Sequence, residues 1–131
     1  MATILIIEDD HNIRENTCEL LEMEGYLVQS ATNGKEGFEK SVQIVPDIII
    51  CDIRMPEMDG LALLGKLGKH PNLKTIPVIL YTAKSEKKDI RAGMDLGAYD
   101  YIVKPSDLED LLASIKRCLQ GRKTVRRPFI P

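Results

Sequence analysis

The amino-acid sequence predicts an α/β domain, a doubly wound sheet of five parallel strands with helices on both faces. Two observations carry that prediction. Runs such as Ile48-Ile49-Ile50-Cys51 and Val78-Ile79-Leu80 are apolar throughout rather than alternating, as in strands covered on both faces of a parallel sheet. Five such runs are separated by segments with apolar residues at helical spacing, and strict alternation of strand and helix gives parallel strands joined by right-handed crossovers. With 131 residues and 44% hydrophobic side chains, one core fits and a second domain does not.

The first strand, residues 3–7, stops in Glu8-Asp9-Asp10. Asn12 and Glu15 have capping-box spacing, with Asp10 as a competing cap, for a helix that buries Ile13, Thr17, Leu20 and Leu21 and ends at Gly25. Residues 26–31 form the second strand. Asn33-Gly34 then turns the chain into a short helix over 35–43, whose apolar face is only Phe38 and Val42. The third strand, 48–51, ends at Asp52, and Met55-Pro56 and Asp59-Gly60 supply turn chemistry before a helix over 61–69 with Leu61, Leu64 and Leu67 in period. The fourth strand, 77–81, is closed by Thr82-Ala83. A polar helix over 86–96 has only Ile90 and Met94 as a spine, so it is weakly anchored and suited to movement. The fifth strand, 99–103, ends in Lys104-Pro105, and Leu108, Leu111, Leu112, Ile115 and Leu119 mark a last helix over 106–120.

A formal net charge of −2 argues against nucleic acid or an anionic membrane as the main partner. No segment approaches a membrane span and the N-terminus has no signal-peptide pattern, so a cytoplasmic location is expected. Cys18, Cys51 and Cys118 lack CxxC spacing and a His cluster, which predicts reduced packing residues rather than a zinc site. His11 and His70 are isolated and are expected at the surface.

Ligands of open α/β sheets bind at the carboxyl ends of the strands. There this chain places Glu8 and Asp9, Asp52, Thr82 and Lys104. A lone Asp52 would read as a strand-terminating turn residue, but crowded carboxylates repel unless a proton or cation compensates them, and a hard cation suits oxygen donors. With a phosphoryl group as ligand each residue has a task. Asp52 is the nucleophile, Mg²⁺ bridges carboxylates to phosphoryl oxygens, and Lys104 and the Thr82 hydroxyl neutralise and hydrogen-bond the rest.

Glu8-Asp9, the segment Asp52-Ile53-Arg54-Met55-Pro56-Glu57-Met58-Asp59-Gly60, Thr82-Ala83 and Lys104-Pro105 resemble the signature of bacterial response-regulator receiver domains, chemotaxis receivers included. The resemblance spans about residues 2–120. It implies a flavodoxin-like sheet of order 2-1-3-4-5, with residues 1–120 as the receiver domain and 121–131 as a basic tail or the start of a linker. It further implies that Asp52 accepts a phosphoryl group from a phosphohistidine of a sensor kinase or phosphotransfer protein. Asp9, Asp52 and the Arg54 backbone carbonyl would ligate Mg²⁺, Glu8 acting through water; Asp10 fits the acidic cluster or a helix cap equally well. Lys104 would pair with the phosphoryl group, and its peptide bond to Pro105 is expected to be cis. Thr82 and Tyr101 would form the switch, reporting through the fourth helix, fifth strand and fifth helix. Such a domain is a signalling switch rather than an enzyme, acting only in its own phosphorylation and slow dephosphorylation.

Ser106 stands where many receivers carry Phe, and Ser114 where the winged-helix class carries an arginine of its dimer contacts, so a monomer or a weak, phosphorylation-dependent dimer is expected. Arg54 and Lys84 hold positions that tune dephosphorylation, and two long cations there predict a longer-lived acyl phosphate than in fast chemotaxis receivers. The tail, with Arg122, Lys123, Arg126 and Arg127, reads as a solvated extension or docking element with too little charge to bind DNA alone. A downstream protein or a fused output domain receives the signal. An isolated receiver from a larger regulator and a degenerate, protein-binding receiver are the alternatives. A dehalogenase-type phosphatase would need an Asp at position 54, and a flavin module a Ser/Thr/Gly-rich loop in place of Glu8-Asp9-Asp10.

Overall fold

The protein, seen in a computed structural model, is described over residues 1–126, with side chains described for 1–121. Every apolar run becomes a strand: β1 (Thr3–Ile7), β2 (Leu27–Ala31), β3 (Ile48–Cys51), β4 (Val78–Thr82) and β5 (Asp100–Val103). They pair in parallel in the order β2-β1-β3-β4-β5. Between them run α1 (His11–Met23), α2 (Gly34–Ile44), α3 (Gly60–Lys69) and α4 (Lys87–Asp95), and α5 (Leu108–Arg126) follows the sheet.

The continuous apolar strands have a direct cause. Successive residues point to opposite faces, and both faces are covered. Leu5, Ile7, Ile49, Cys51 and Leu80 pack with Leu63, Leu64 and Leu67 of α3, while Ile4, Ile6, Ile48, Ile50 and Ile79 pack with Leu21 of α1 and Leu111, Ile115 and Cys118 of α5. The register is level, with Ile7 paired to both Ala31 and Cys51, and Cys51 to Leu80. Residues that follow the strands therefore emerge at one edge.

Several local expectations are corrected by packing. Asp10, not the Asn12/Glu15 pair, caps α1, because its extended backbone lets its carboxylate accept from the Ile13 N–H at 3.0 Å. Asn33 caps α2 by accepting from Glu36 N–H, and Glu36 reaches back to Thr32 N–H. Val42 is exposed, and the buried face of α2 is Gly34, Gly37 and Ser41, small residues where the helix lies against Ile7 and the Met58 backbone. In α4 the residue turned inward is Gly93, not Met94, which is exposed. A Cβ at Gly93 would lie 2.6 Å from Leu80 and 3.2 Å from the Tyr101 ring, so glycine lets α4 approach β4 and β5.

Helix α5 begins two residues later than expected, at Leu108, and runs through Gly121 to Arg126. One interior glycine costs a helix only about 1 kcal/mol, and Arg122, Lys123 and Arg126 of the expected tail are thus helical, whereas Arg127 and Pro128–131 lie outside the described residues. Cys51 and Cys118 are buried in the core and Cys18 is half-buried, as packing residues are. His70 is half-buried rather than surface-lying, capping α3 and meeting the Phe38 ring edge-on at 5.9 Å. Among the described residues, no helix is long and apolar enough to cross a membrane.

Candidate functional site

Backbone bonds just beyond the strands set the site. Glu8 N–H donates to Ala31 at 3.0 Å, Asp52 N–H to Ile7 at 3.1 Å and Lys104 N–H to Thr82 at 2.8 Å, all to carbonyls. These bonds continue the sheet for one residue and hold Glu8, Asp52 and Lys104 at a common level. Carboxylate oxygens of Glu8, Asp9 and Asp52 lie within 4.8 Å of one another. The Lys104 Nζ donates to Glu8 Oε1 at 2.5 Å and to Asp52 Oδ2 at 3.0 Å. Side-chain exposures of 12% for Lys104, 5% for Glu8 and 11% for Asp52 leave little water to screen them.

The electrostatics follow. Burial, reinforced by the charge of Asp52, raises the Glu8 pKa despite the hydrogen bond from Lys104. For Lys104 burial acts downward, but bonds and charges from Glu8 and Asp52 outweigh it and the ammonium is held above its ordinary range. The other oxygen of Asp52, Oδ1, accepts from the backbone N–H groups of Ile53 at 2.6 Å and Arg54 at 3.3 Å. Three converging carboxylates against the single ammonium of Lys104 leave an excess of two negative charges, and this set of oxygen donors fits a divalent cation such as Mg²⁺.

The buried Thr82 accepts from Lys84 N–H at 3.3 Å through its Oγ1, and the half-buried Tyr101 donates its hydroxyl to the Lys84 carbonyl at 2.7 Å. Both expected switch residues thus grip one residue of the β4–α4 turn. Lys84 Nζ lies 4.0 Å from Asp89, and exposed Arg54 lines a shallow pocket with Lys84, Ser85 and Glu86. The Lys104–Pro105 bond is cis. Ser114, buried, donates to Asp100 Oδ2 at 2.7 Å beside Arg117 at 3.3 Å, tying α5 to β5 within the molecule.

Two contributors have no signal in the sequence. Arg14 looks like a solvent-facing helix cation, yet its guanidinium donates to the carbonyls of the acidic turn. Gly60 looks like a turn residue, yet it lies against the Asp52 carbonyl. Each shows its part only in the folded contacts, five to eight residues away along the chain.

Comparison with known proteins decides the family, because the model of the family described as "Response regulator receiver domain" matches residues 4–116. The chain belongs to that family. This receiver is 40% identical over 128 residues to the "DNA-binding dual master transcriptional regulator RpaA" of Synechocystis, covering 98% of the chain and 52% of that protein. It is 41% identical over 120 residues to the response regulator ArlR of Staphylococcus saprophyticus, covering 92% and 53%. The receiver thus spans about half the length of these relatives. Its backbone is similar to the CheY-like receiver structure from Methanospirillum hungatei, with a TM-score of 0.89, 32% identity, and 95% and 98% of the two chains covered. The family is one of two-component signalling proteins rather than catalytic enzymes, and its members generally bind Mg²⁺ at the acidic pocket.

Proposed function

We propose that this receiver takes a phosphoryl group onto Asp52 from a phosphohistidine of a sensor kinase or phosphotransfer protein. The observation that carries the reading is the convergence of Glu8, Asp9 and Lys104 on Asp52 at the carboxyl edge of the sheet. A carboxylate oxygen of Asp52 forms the bond to phosphorus as the P–N bond breaks, and the electron pair leaves with the imidazole nitrogen. Asp9, Asp52 and the Arg54 carbonyl would hold Mg²⁺, with Glu8 acting through water. Mg²⁺ bound there supplies positive charge for the phosphoryl oxygens. Lys104, already on Asp52, shifts its ammonium to a phosphoryl oxygen, and the Thr82 hydroxyl donates to another.

Turning Thr82 toward the phosphoryl group withdraws its oxygen from Lys84 N–H. Tyr101, bonded to the same residue, then loses its fixed acceptor and moves inward, shifting the population of the α4, β5 and α5 surface. A partner protein, or an output domain like those in the remaining length of its relatives, reads that surface; the domain itself binds neither nucleic acid nor membrane and works in the cytoplasm. The Ser114–Asp100–Arg117 tie uses residues within the molecule and favours a monomer or weak dimer over a constitutive one. The intact acidic site argues against a degenerate, protein-binding role.

Incubation with a small-molecule phosphodonor and Mg²⁺ should give one added phosphoryl group by mass spectrometry, and none in Asp52→Asn. A group that persists in Asp52→Asn, or never forms on the unaltered chain, overturns the assignment. Because Lys84 leans toward Asp89 while Arg54 is exposed at the pocket rim, Arg54→Ala should shorten the lifetime of the phosphorylated form several-fold by admitting water. Equal decay rates would remove Arg54 from that role.

A further inference from the structure

We infer that Arg14 is a positioning residue for the divalent cation, holding the Glu8–Asp9 turn in the shape that presents both carboxylates. This rests on the reading of Asp9 and Asp52 as carboxylate ligands of the cation, with Glu8 acting through water. Other parts of the turn are fixed from elsewhere: Glu8 N–H by the Ala31 carbonyl, Asp10 N–H by Glu8 Oε2 at 3.2 Å, and the Asp10 carboxylate by its cap on Ile13. The two carbonyls between them are held by Arg14, whose Nη1 donates to Glu8 O at 2.9 Å and to Asp9 O at 3.4 Å. Its Nη2 meets His11 Nδ1 at 3.1 Å. A guanidinium has donors only, so the imidazole nitrogen accepts and steadies the other prong of the fork. His11, expected to be an isolated surface residue, is exposed but serves as this brace.

Mg²⁺ demands a near-ideal geometry of oxygens, so a turn free to rotate its peptides would spoil the directions of the carboxylates on either side. The charge of Arg14 makes the inference testable by sign. A cation beside a cation site disfavours a second cation, so loss of the guanidinium would tighten Mg²⁺ binding if only charge mattered. Positioning predicts the opposite. Lysine separates the effects further, because it keeps the charge but cannot reproduce the planar fork.

The experiment is calorimetric titration of the unphosphorylated protein with Mg²⁺, for the unaltered chain, Arg14→Ala and Arg14→Lys. Both substitutions should raise Kd by about tenfold, the scale of losses when partners that orient metal ligands are removed. A Kd that is unchanged or lower in either folded variant overturns the inference; should Arg14→Ala fail to fold, Arg14→Lys decides alone. Phosphorylation by a small phosphodonor gives a second readout. The half-saturating Mg²⁺ concentration should rise by the same factor while the rate at saturating Mg²⁺ returns to that of the unaltered chain, and a plateau that stays depressed overturns positioning in favour of a direct role. An unaltered chain that binds Mg²⁺ but takes no phosphoryl group would sink the assignment of Asp52 and leave Arg14 to be decided by calorimetry, whereas one that binds no Mg²⁺ would sink the ligand assignment itself.

Discussion

Lys104→Met should lower folding stability at neutral pH, without divalent cations, by about 3 kcal/mol, the low end of the cost of stranding buried charges by removing their partner. Glu8 and Asp52 would then face each other without the ammonium that contacts both. The deficit should shrink as pH falls. The Glu8 pKa is already raised from 4.5 in the folded protein, so the folded state binds that proton more tightly than the unfolded chain. Its contribution is therefore largest below 4.5 and declines as pH rises through the folded value. Losing Lys104 removes a lowering influence and raises that value further, which widens the gap at pH 7. Adding Mg²⁺, or Glu8→Gln in the same chain, should return most of the loss by neutralising or deleting one facing charge. Urea unfolding at two pH values, with and without Mg²⁺, measures all of this. A deficit indifferent to pH, to Mg²⁺ and to Glu8→Gln would mean that Lys104 acts by packing its stem and not by its charge.

Gly60→Ala should cost a further kind of stability, on the order of 3 kcal/mol, as overpacking that no rotamer can relieve. The new Cβ would lie 2.2 Å from the Asp52 carbonyl oxygen and 2.9 Å from Ile53 Cα, both backbone atoms. Gly60 N–H also donates to the Ile53 carbonyl at 2.8 Å, so the first turn of α3 is strapped to the segment carrying Asp52. Displacing it moves the proposed phosphoacceptor. Weakened Mg²⁺ binding should accompany the lost stability. Gly65→Ala, in the same helix with nothing within 4 Å of the added carbon, should instead stabilise by up to about 1 kcal/mol through helix propensity. Thermal melts of the two variants test the pair, and similar shifts would show that the close approach at Gly60 is relieved elsewhere.

Where the sequence was read wrongly, the errors share a cause. Helical spacing pointed to Val42 and Met94, but the helices bury Gly37, Ser41 and Gly93, because the depth at which a helix seats depends on what lies opposite it. The acidic turn offered Asp10 and Asn12 as caps, and the backbone dihedrals of residue 10 chose between them. Arg14 and Gly60 carried no pattern of their own. Their parts follow from the carbonyls they meet, which no local period encodes.

The sequence by itself determined the five alternating units, both covered faces of the sheet and the chemical types at the strand ends, because these follow from apolar periodicity and from which residues interrupt it. It also held the family signature in order. Only the tertiary structure decided that Lys104 bridges Glu8 to Asp52, that Thr82 and Tyr101 grip the same turn, and that Arg14 reaches the acidic carbonyls. The contacts of Lys104 and Tyr101 join distant parts of the chain, those of Thr82 and Arg14 join an element to its adjoining turn, and in both cases the distances are set by how the turns and strand ends are held in the fold.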